Sequence, residues 1–493
     1  MDWQALQGTM PRDRDLPQRA FRVTALTSVL MGTQYAALAH SFEEELSGAG
    51  EYIPLRKRRP SVQSGICRTV VDDSVSLLFS EGHFPTFHGA DRASVAALAT
   101  WAKDRRLNEV MADAATRGSV GSVALLFRVL KGKPFVSVMT TAHLTPTWDP
   151  EDPDTLLTVV ERYKVRGSDL KAQGYSVPSD ADNENFWFQR SWDADAETWF
   201  LPLSVASSKE GKQPSIDEAR TVKHGLGFLP IVWIRNLPGG DEVDGACTFE
   251  AAISTAVEVD YQLSQGGRGL KYASDPRLVI RDPGGVDRPL TGGAANAIVL
   301  SAPEGDAKFL EINGTAAAAV LDHVRYLRSV ALESIHGNRA DADKLAAAQS
   351  GRAMELMCQP LVWLADRLRT SYGEGALLAL ARMVCTASSK VAGGVIIGGD
   401  KVKDLKADGL SLTWPPWFAP TADDRQATAT TLSTLVSKAI MSEETATRVV
   451  SDSFDIEDVP AERTRIQAEK VAADARLAAQ PGVQTKATET LPT

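Results

Sequence analysis

Residues 225–236 read Gly225-Leu226-Gly227-Phe228-Leu229-Pro230-Ile231-Val232-Trp233-Ile234-Arg235-Asn236. The spaced glycines mark a turn, and the short apolar run behind them is a buried strand. A polar loop over 237–245 leads on to a helix over 249–263. Its apolar residues Phe249, Ala252, Ile253, Ala256, Val259 and Leu263 keep the i, i+3, i+4 spacing of a one-sided helix, and the pattern extends to about residue 272. An insertion, 273–312, follows, with strand-like runs at 277–281 and 297–300 around a Gly/Pro-rich loop at 282–293. A third strand is expected at 309–312. Thr315 then reads as the N-cap of a second helix, 316–335. Its face is Val320, Val324, Leu327, Ala331 and Ile335, and Gly337 stops it. At ~1.5 Å per residue these two helices form a pair of rods about 30 Å long.

A polar loop, Asn338-Arg339-Ala340-Asp341-Ala342-Asp343, precedes a long helical region over 344–387. Pro360 predicts a kink in it, and Gly373 and Gly375 weaken its middle. A short β segment ends at Trp414-Pro415-Pro416-Trp417. Helices resume after Asp423 and after Ser442, where Ser442 caps and Glu443 and Glu444 occupy the first turn. A charged helix over 462–477 leads to a Gln-, Thr- and Pro-containing tail expected to be disordered.

Upstream of the opening stretch, apolar spacing predicts helices over 18–46, 62–78 and 90–115. The basic run Arg56-Lys57-Arg58-Arg59 reads either as a phosphate contact or as a solvated strip. Residues 120–138 predict a hairpin turning at Lys131-Gly132-Lys133-Pro134, and strands at 157–165, 186–192 and 198–205 extend it into a meander. Trp187, Trp192, Trp199 and Phe200 are read as sheet packing rather than as a stacking platform for bases.

Composition bounds the function. The 493 residues suffice for two to four domains, and 43% hydrophobic with 24% charged residues is an ordinary globular balance. No apolar run approaches the roughly 20 residues of a membrane span, and the N-terminus lacks the apolar core of a secretory signal, so a cytosolic protein is expected. Cys67, Cys247, Cys358 and Cys385 are far apart, against a zinc site or disulfide framework. The net charge of -10 argues against tight phosphate gripping; it either simply aids solubility or suits a wall past which a polyanion such as DNA slides.

Motifs of catalysis fail on inspection. GVIIGGDK (394–401) resembles a phosphate loop, but Asp400 stands where the lysine belongs and Val402 replaces the required Ser or Thr. His83 and His88 are spaced five apart around a proline, unlike a zincin pair, and the remaining histidines are scattered. The chain reads as a non-enzyme without catalytic residues, metal or cofactor.

The order of these features resembles the portal protein family of tailed phages, in the branch with long flexible tails, over about residues 20–470. HGLGFLPIVWIRNLPGG (224–240) resembles the family's G-x-x-P-hydrophobic-Asn approach to its first stem helix. Ser350-Gly351-Arg352-Ala353 resembles the S-G-x-A start of its long helix. The Trp-Pro segment 414–420, the turn-helix Met441-Ser442-Glu443-Glu444-Thr445-Ala446 and Phe79-Ser80-Glu81-Gly82-His83-Phe84-Pro85 match in the same order.

The resemblance implies a mostly helical α+β portal fold that forms a ring, usually of twelve subunits, through which double-stranded DNA enters and leaves a capsid. It implies a wing at 1–248, stem helices at 249–272 and 313–336, and a clip at 273–312. A tunnel loop at 337–347, a long kinked helix with a wing β segment at 348–422, and a crown and flexible tail at 423–493 complete the order. The implied partners are further copies of the chain, DNA, major capsid and scaffolding proteins, the terminase large subunit and a head-tail adaptor, without a membrane. The implied location is the capsid portal vertex of the virion, and host cytoplasm during assembly. Asn338, Arg339, Asp341, Asp343 and Lys344 are the expected channel residues, and Arg277, Arg281, Asp282, Asp287 and Arg288 the expected motor and adaptor contacts. The alternative from a different class is a DNA-binding capsid or terminase accessory protein that forms no ring.

Overall fold

Asp2 accepts the Ala5 N–H at 2.7 Å and caps the first helix, α1 (Trp3–Gln7). The computed structural model describes residues 2–241, 243–274, 277–281, 306–310, 314–337, 351–418, 421–451 and 459–478. Helix α2 (Gln18–Leu30) ends where Gly32 takes φ +70°, well short of the expected residue 46. Tyr35, Leu38 and Phe42 beyond it are buried all the same, so the apolar spacing there reported burial rather than helix. Next come α3 (Ile66–Phe79), β1 (Thr86–His88), α4 (Arg92–Asp104) and α5 (Leu107–Gly118). The single helix expected over 90–115 breaks at Arg106, φ +48°.

Strands β2 (Ser122–Leu130) and β3 (Lys133–Thr140) form the expected hairpin. Lys131 and Gly132 take φ +50° and +77°, the paired positive angles of a type I′ turn. The chain continues through β4 (Leu144–Trp148), β5 (Leu156–Arg166), α6 (Gly167–Ala172), β6 (Asn185–Trp192), β7 (Ala196–Trp199), β8 (Leu203–Ser204), α7 (Val205–Lys209) and β9 (Val222–Lys223). Strands β4-β5-β6-β7-β9 lie in sequence order, all antiparallel, with β8 on β6; this meander does not include the β2–β3 hairpin expected to begin it, and the strand expected over 198–205 is the two short strands β7 and β8. Strand β4 had no place in the sequence reading. It carries Pro146 at a sheet edge, where a missing N–H is tolerated. Trp187 and Trp192 are buried in this sheet, as packing residues.

The glycine turn takes φ +64° at Gly225 and +72° at Gly227, and β10 (Ile231–Arg235) pairs with β2 to give a second sheet, β10-β2-β3. A 3₁₀ turn at Glu250–Ala252 runs into α8 (Ile253–Ser274). Strands β11 (Arg277–Arg281) and β12 (Asp306–Leu310) pair antiparallel, and α9 (Gly314–Ser334) follows. The third strand expected at 309–312 is thus the direct partner of the first, and residues 297–300 lie outside the described residues. Thr315 falls inside the first turn of α9 rather than capping it.

The long helical region is in pieces: α10 (Gly351–Met357), α11 (Gln359–Leu368), a π-helical stretch at Arg369–Leu377, and α12 (Leu378–Lys390). It breaks at Cys358, which places Pro360 in the first turn of α11, where an absent N–H costs no hydrogen bond. Gly373 and Gly375 sit where the helix widens. Strands β13 (Val395–Ile397) and β14 (Asp400–Val402) make a hairpin through Gly398 and Gly399, so GVIIGGDK is a strand pair and not the loop before a helix. Strand β15 (Ser411–Thr413) pairs with β1.

The described residues fall into two compact units, those within 1–339 together with 359–415, and those within 340–358 together with 416–493. In the first, α3, α5, α11 and α12 pack with β2 around Phe79, Trp101, Phe127 and Phe249, all essentially without solvent exposure. Asn236 is a polar hub in this core. Its N–H donates to Gly121 O at 2.9 Å, and its amide Nδ2 donates to Ala246 O and Thr248 Oγ1, each at 2.9 Å. Ser371 Oγ donates to Asn236 O at 2.8 Å, so one side chain and its backbone tie β10, the approach to α8 and the π segment together. In the second unit lie α13 (Ala422–Ser437), α14 (Glu443–Ser451) and α15 (Val459–Ala478). Ser442 accepts the Thr445 N–H at 3.2 Å and caps α14, as expected, while Lys470 and Arg463 pair with Glu443 and Glu444 at 2.6 and 2.8 Å. The fold class is α+β.

Candidate functional site

The two long helices α8 and α9 pack on each other and end in the strand pair β11–β12. Gly266, late in α8, faces Val320, early in α9. A Cβ on Gly266 would stand 3.1 Å from Val320 Cγ1, so the glycine sets how closely the helices approach. The root of α8 is deep in the core: Ala252, Ile253, Ala256, Val257, Val259 and Tyr261 are buried, as the spacing predicted for most of them. After Ser264 the burial fades.

Asp260 lies on that buried stripe, 3% exposed. Tyr35 Oη donates to it at 2.9 Å and the Ser64 N–H at 2.6 Å, while Ser264 Oγ donates to its carbonyl at 2.7 Å. Burial pushes the Asp260 carboxyl above its ordinary range, and the two donated hydrogen bonds pull it partly back. Burial raises Tyr261 to about 12, and burial with the nearby Asp260 charge raises Cys67 to about 12. The Tyr261 hydroxyl donates to Arg58 O at 2.9 Å. Arg58 is itself 1% exposed, donates to Phe42 O at 3.1 Å and Tyr52 Oη at 3.0 Å, and stacks on both rings. The basic run is therefore neither a phosphate contact nor a solvated strip at Arg58, although Arg56, Lys57 and Arg59 are exposed. A charged residue at the i+4 position from Ala256 on an apolar stripe was the signal that could have found Asp260.

Helix α9 buries Val324 and Ala331 and half-buries Val320 and Leu327, and Ile335 just past its end is buried too, which completes the predicted face. Three large apolar side chains are left in solvent: Leu321 43%, Tyr326 66% and Val330 37% exposed. At about 100° per residue, Leu321 lies on one flank of the buried stripe, and Tyr326 with Val330 on the other. The sequence reading missed them because they fall outside the stripe that it followed. Their signal was a helix apolar on more than one face. Beyond Ser334 the chain turns at His336, φ +56°, and the Gly337 N–H returns to Leu332 O at 2.8 Å. A Cβ on Gly337 would meet Val70 Cγ2 at 2.3 Å, so the stop expected at this glycine is also a close contact with α3.

Of the expected site residues, Arg277 opens β11 in register with Leu310, and Arg281 closes it in register with Asp306. Asp282, Asp287, Arg288, Asn338, Arg339, Asp341, Asp343 and Lys344 lie outside the described residues. Cys67, Cys247, Cys358 and Cys385 are free thiols.

No protein-family model matches the chain, and no curated protein does.

Among the described residues, no helix is long and apolar enough to cross a membrane. The chemistry available at α8–α9 is that of surface burial: a rooted pair of rods with apolar side chains standing uncovered on two opposite flanks.

Proposed function

We propose that the chain is the subunit of a portal ring, a conduit at one capsid vertex for packaging and ejecting double-stranded DNA. The observation that supports this reading is the placement of Leu321 on one flank of α9 and of Tyr326 and Val330 on the other. Closing a ring head to tail takes two different patches on each subunit, one meeting the other on the next copy. Covering a large apolar side chain in this way contributes about 1.5–3 kcal/mol, and repeated around one axis it holds rods side by side around a hole. The pair β11–β12 at the end of the rods is then the clip, presented to the packaging motor and later to head-tail adaptors. The acidic balance of the chain suits a lumen that does not grip phosphate. On this reading the protein works without catalysis or a cofactor, in the virion and, during assembly, in the host cytoplasm.

Native mass decides between this and a DNA-binding accessory protein. Twelve copies of 53.0 kDa give a particle of about 0.6 MDa, and Tyr326→Asp is expected to shift the mass toward the monomer. A chain that stays monomeric at high concentration sinks the proposal.

A further inference from the structure

The three-stranded sheet ends unevenly. Strand β3 covers one edge of β2 from Val123 to Leu130, but β10 covers the other edge only from Ser122 to Leu126. The ladder's last bond on that side is Phe127 N–H to Pro230 O, 2.8 Å, and Pro230 has no N–H to return. Two residues on, Val129 lies opposite Pro134 of β3, which also has no N–H. Antiparallel pairs alternate between bonded and non-bonded, so Val129 and Pro134 are a non-bonded pair, and the Val129 N–H and C=O point to the side that β10 has left.

On that side is a groove of about 550 Å³, whose opposite wall is β9. Strand β9 is the last strand of the six-stranded sheet, and its Val222 is exposed. The groove is thus bounded by strand edges from two different sheets, the arrangement into which an extended chain adds as a strand. Its floor is apolar, with Phe127, Leu226 and Trp199. Its polar side chains are mainly basic: Arg128, Arg220, Lys223 and His224 against the carboxylate of Glu197. Glu197 already binds Arg128 at 2.7 Å and Arg220 pairs with Asp217 at 3.6 Å, while Lys223 stands exposed at the rim and exposed Lys131 follows the end of β2. With Arg128 and Arg220 paired to carboxylates, the charge the groove presents is that of Lys223, opposite in sign to the net -10 of the chain, and it favours an acidic partner over the rest of the chain's own surface.

We propose that this groove captures an extended acidic segment of another protein, which adds as a strand on β2 at Val129. Side chains alternate across such a strand, so the segment carries apolar residues toward the floor and carboxylates toward Lys223 and Lys131.

The test uses the full chain and a fluorescein-labelled hexapeptide of alternating valine and glutamate, read by fluorescence anisotropy. Binding is expected, weakening as salt is added, and weakening about tenfold with Val129→Pro, which removes the edge donor, and about tenfold with Lys223→Glu. Lys223 is exposed, so its variant keeps the fold. A peptide N-methylated on its pairing edge repeats the backbone test with the wild-type protein and should also lose about tenfold. No binding, equal binding of a valine-lysine peptide, or binding indifferent to all three changes overturns the proposal. Self-association abolished by Val129→Pro also overturns it, by making a second copy of this chain the occupant. Native mass is unaffected by any of these peptides, so failure here is separate from failure of the ring reading.

Discussion

Tyr372 donates its hydroxyl hydrogen to Asn236 Oδ1 at 3.0 Å, with both residues fully buried and 136 positions apart in the chain. The contact is so close-packed that a Cβ on Gly118 would stand 2.0 Å from the Tyr372 hydroxyl oxygen. Asn236→Ala leaves that hydroxyl without its acceptor, and Ala246 O and Thr248 Oγ1 without their donor. A loss of about 3 kcal/mol is expected, against about 1 kcal/mol for Tyr372→Phe, which leaves the Asn236 amide nitrogen bonded. Urea unfolding measures both. Equal losses would mean that the hub is not centred on Asn236.

Gly373 presents the opposite sign from helix propensity. Replacing a helical glycine by alanine ordinarily stabilises by about 1 kcal/mol. Here the new methyl would lie 2.3 Å from Trp414 Cζ2, on an indole also held by Arg369 at 4.7 Å and Phe79 at 6.0 Å. Gly373→Ala is expected to destabilise by about 1–3 kcal/mol through overpacking. A thermal melt that rises instead of falling would remove the packing explanation.

Asp260 carries a pH signature. Its folded-state value lies above the ordinary 3.8 because burial penalises the carboxylate. The folded state therefore holds the proton more tightly than the unfolded chain does. The stability this adds is present below 3.8 and lost as pH rises through the folded value. Asp260→Asn is neutral at every pH and keeps an acceptor for the Ser64 N–H. Relative to wild type, the asparagine variant should gain stability as pH rises above 3.8 and level off once pH has passed the folded-state value. Denaturant titrations across that range test this, and a flat difference refutes it.

Arg58 and its neighbours separate burial from charge. Arg58→Ala removes a buried side chain bonded to Phe42 O and stacked on two rings, and should cost about 2–3 kcal/mol. Arg56→Ala and Lys57→Ala, at exposed positions, should stay within about 0.5 kcal/mol. Parallel unfolding curves check the contrast.

On the portal reading proposed above, Arg339 and Lys344 would touch phosphate transiently in the channel. Arg339→Ala and Lys344→Ala should each leave capsids underfilled in a packaging assay scored by protected DNA length. Normal filling in both removes these two residues from the channel lining.

Much of the fold could be read locally. The hairpin through Lys131-Gly132, the strand after the double-glycine turn, the α8 and α9 stripes and the Ser442 cap all follow from interactions within a few residues. The helix expected beyond residue 30 fails for a plain reason. Apolar content over residues 31–46 records what is buried, whether or not the backbone is regular. The helix over 18–46 therefore dissolved into turns at Gly32 although its apolar residues did enter the core. Neither Asp260 nor Tyr326 stood out locally, since each acquires meaning only from what packs, or does not pack, against it.

By itself, the sequence determined the β2–β3 hairpin, the strand β10 and the apolar faces of α8 and α9, because periodicity and turn chemistry act over one or two turns of chain. Only the tertiary structure decided that Asn236 meets Tyr372, that Arg58 is interior, and that β2 runs past its partner at Pro230 into an open groove. Those outcomes depend on which distant elements come together, and burial, hydrogen-bond satisfaction and uncovered edges are properties of that assembly rather than of any stretch of chain.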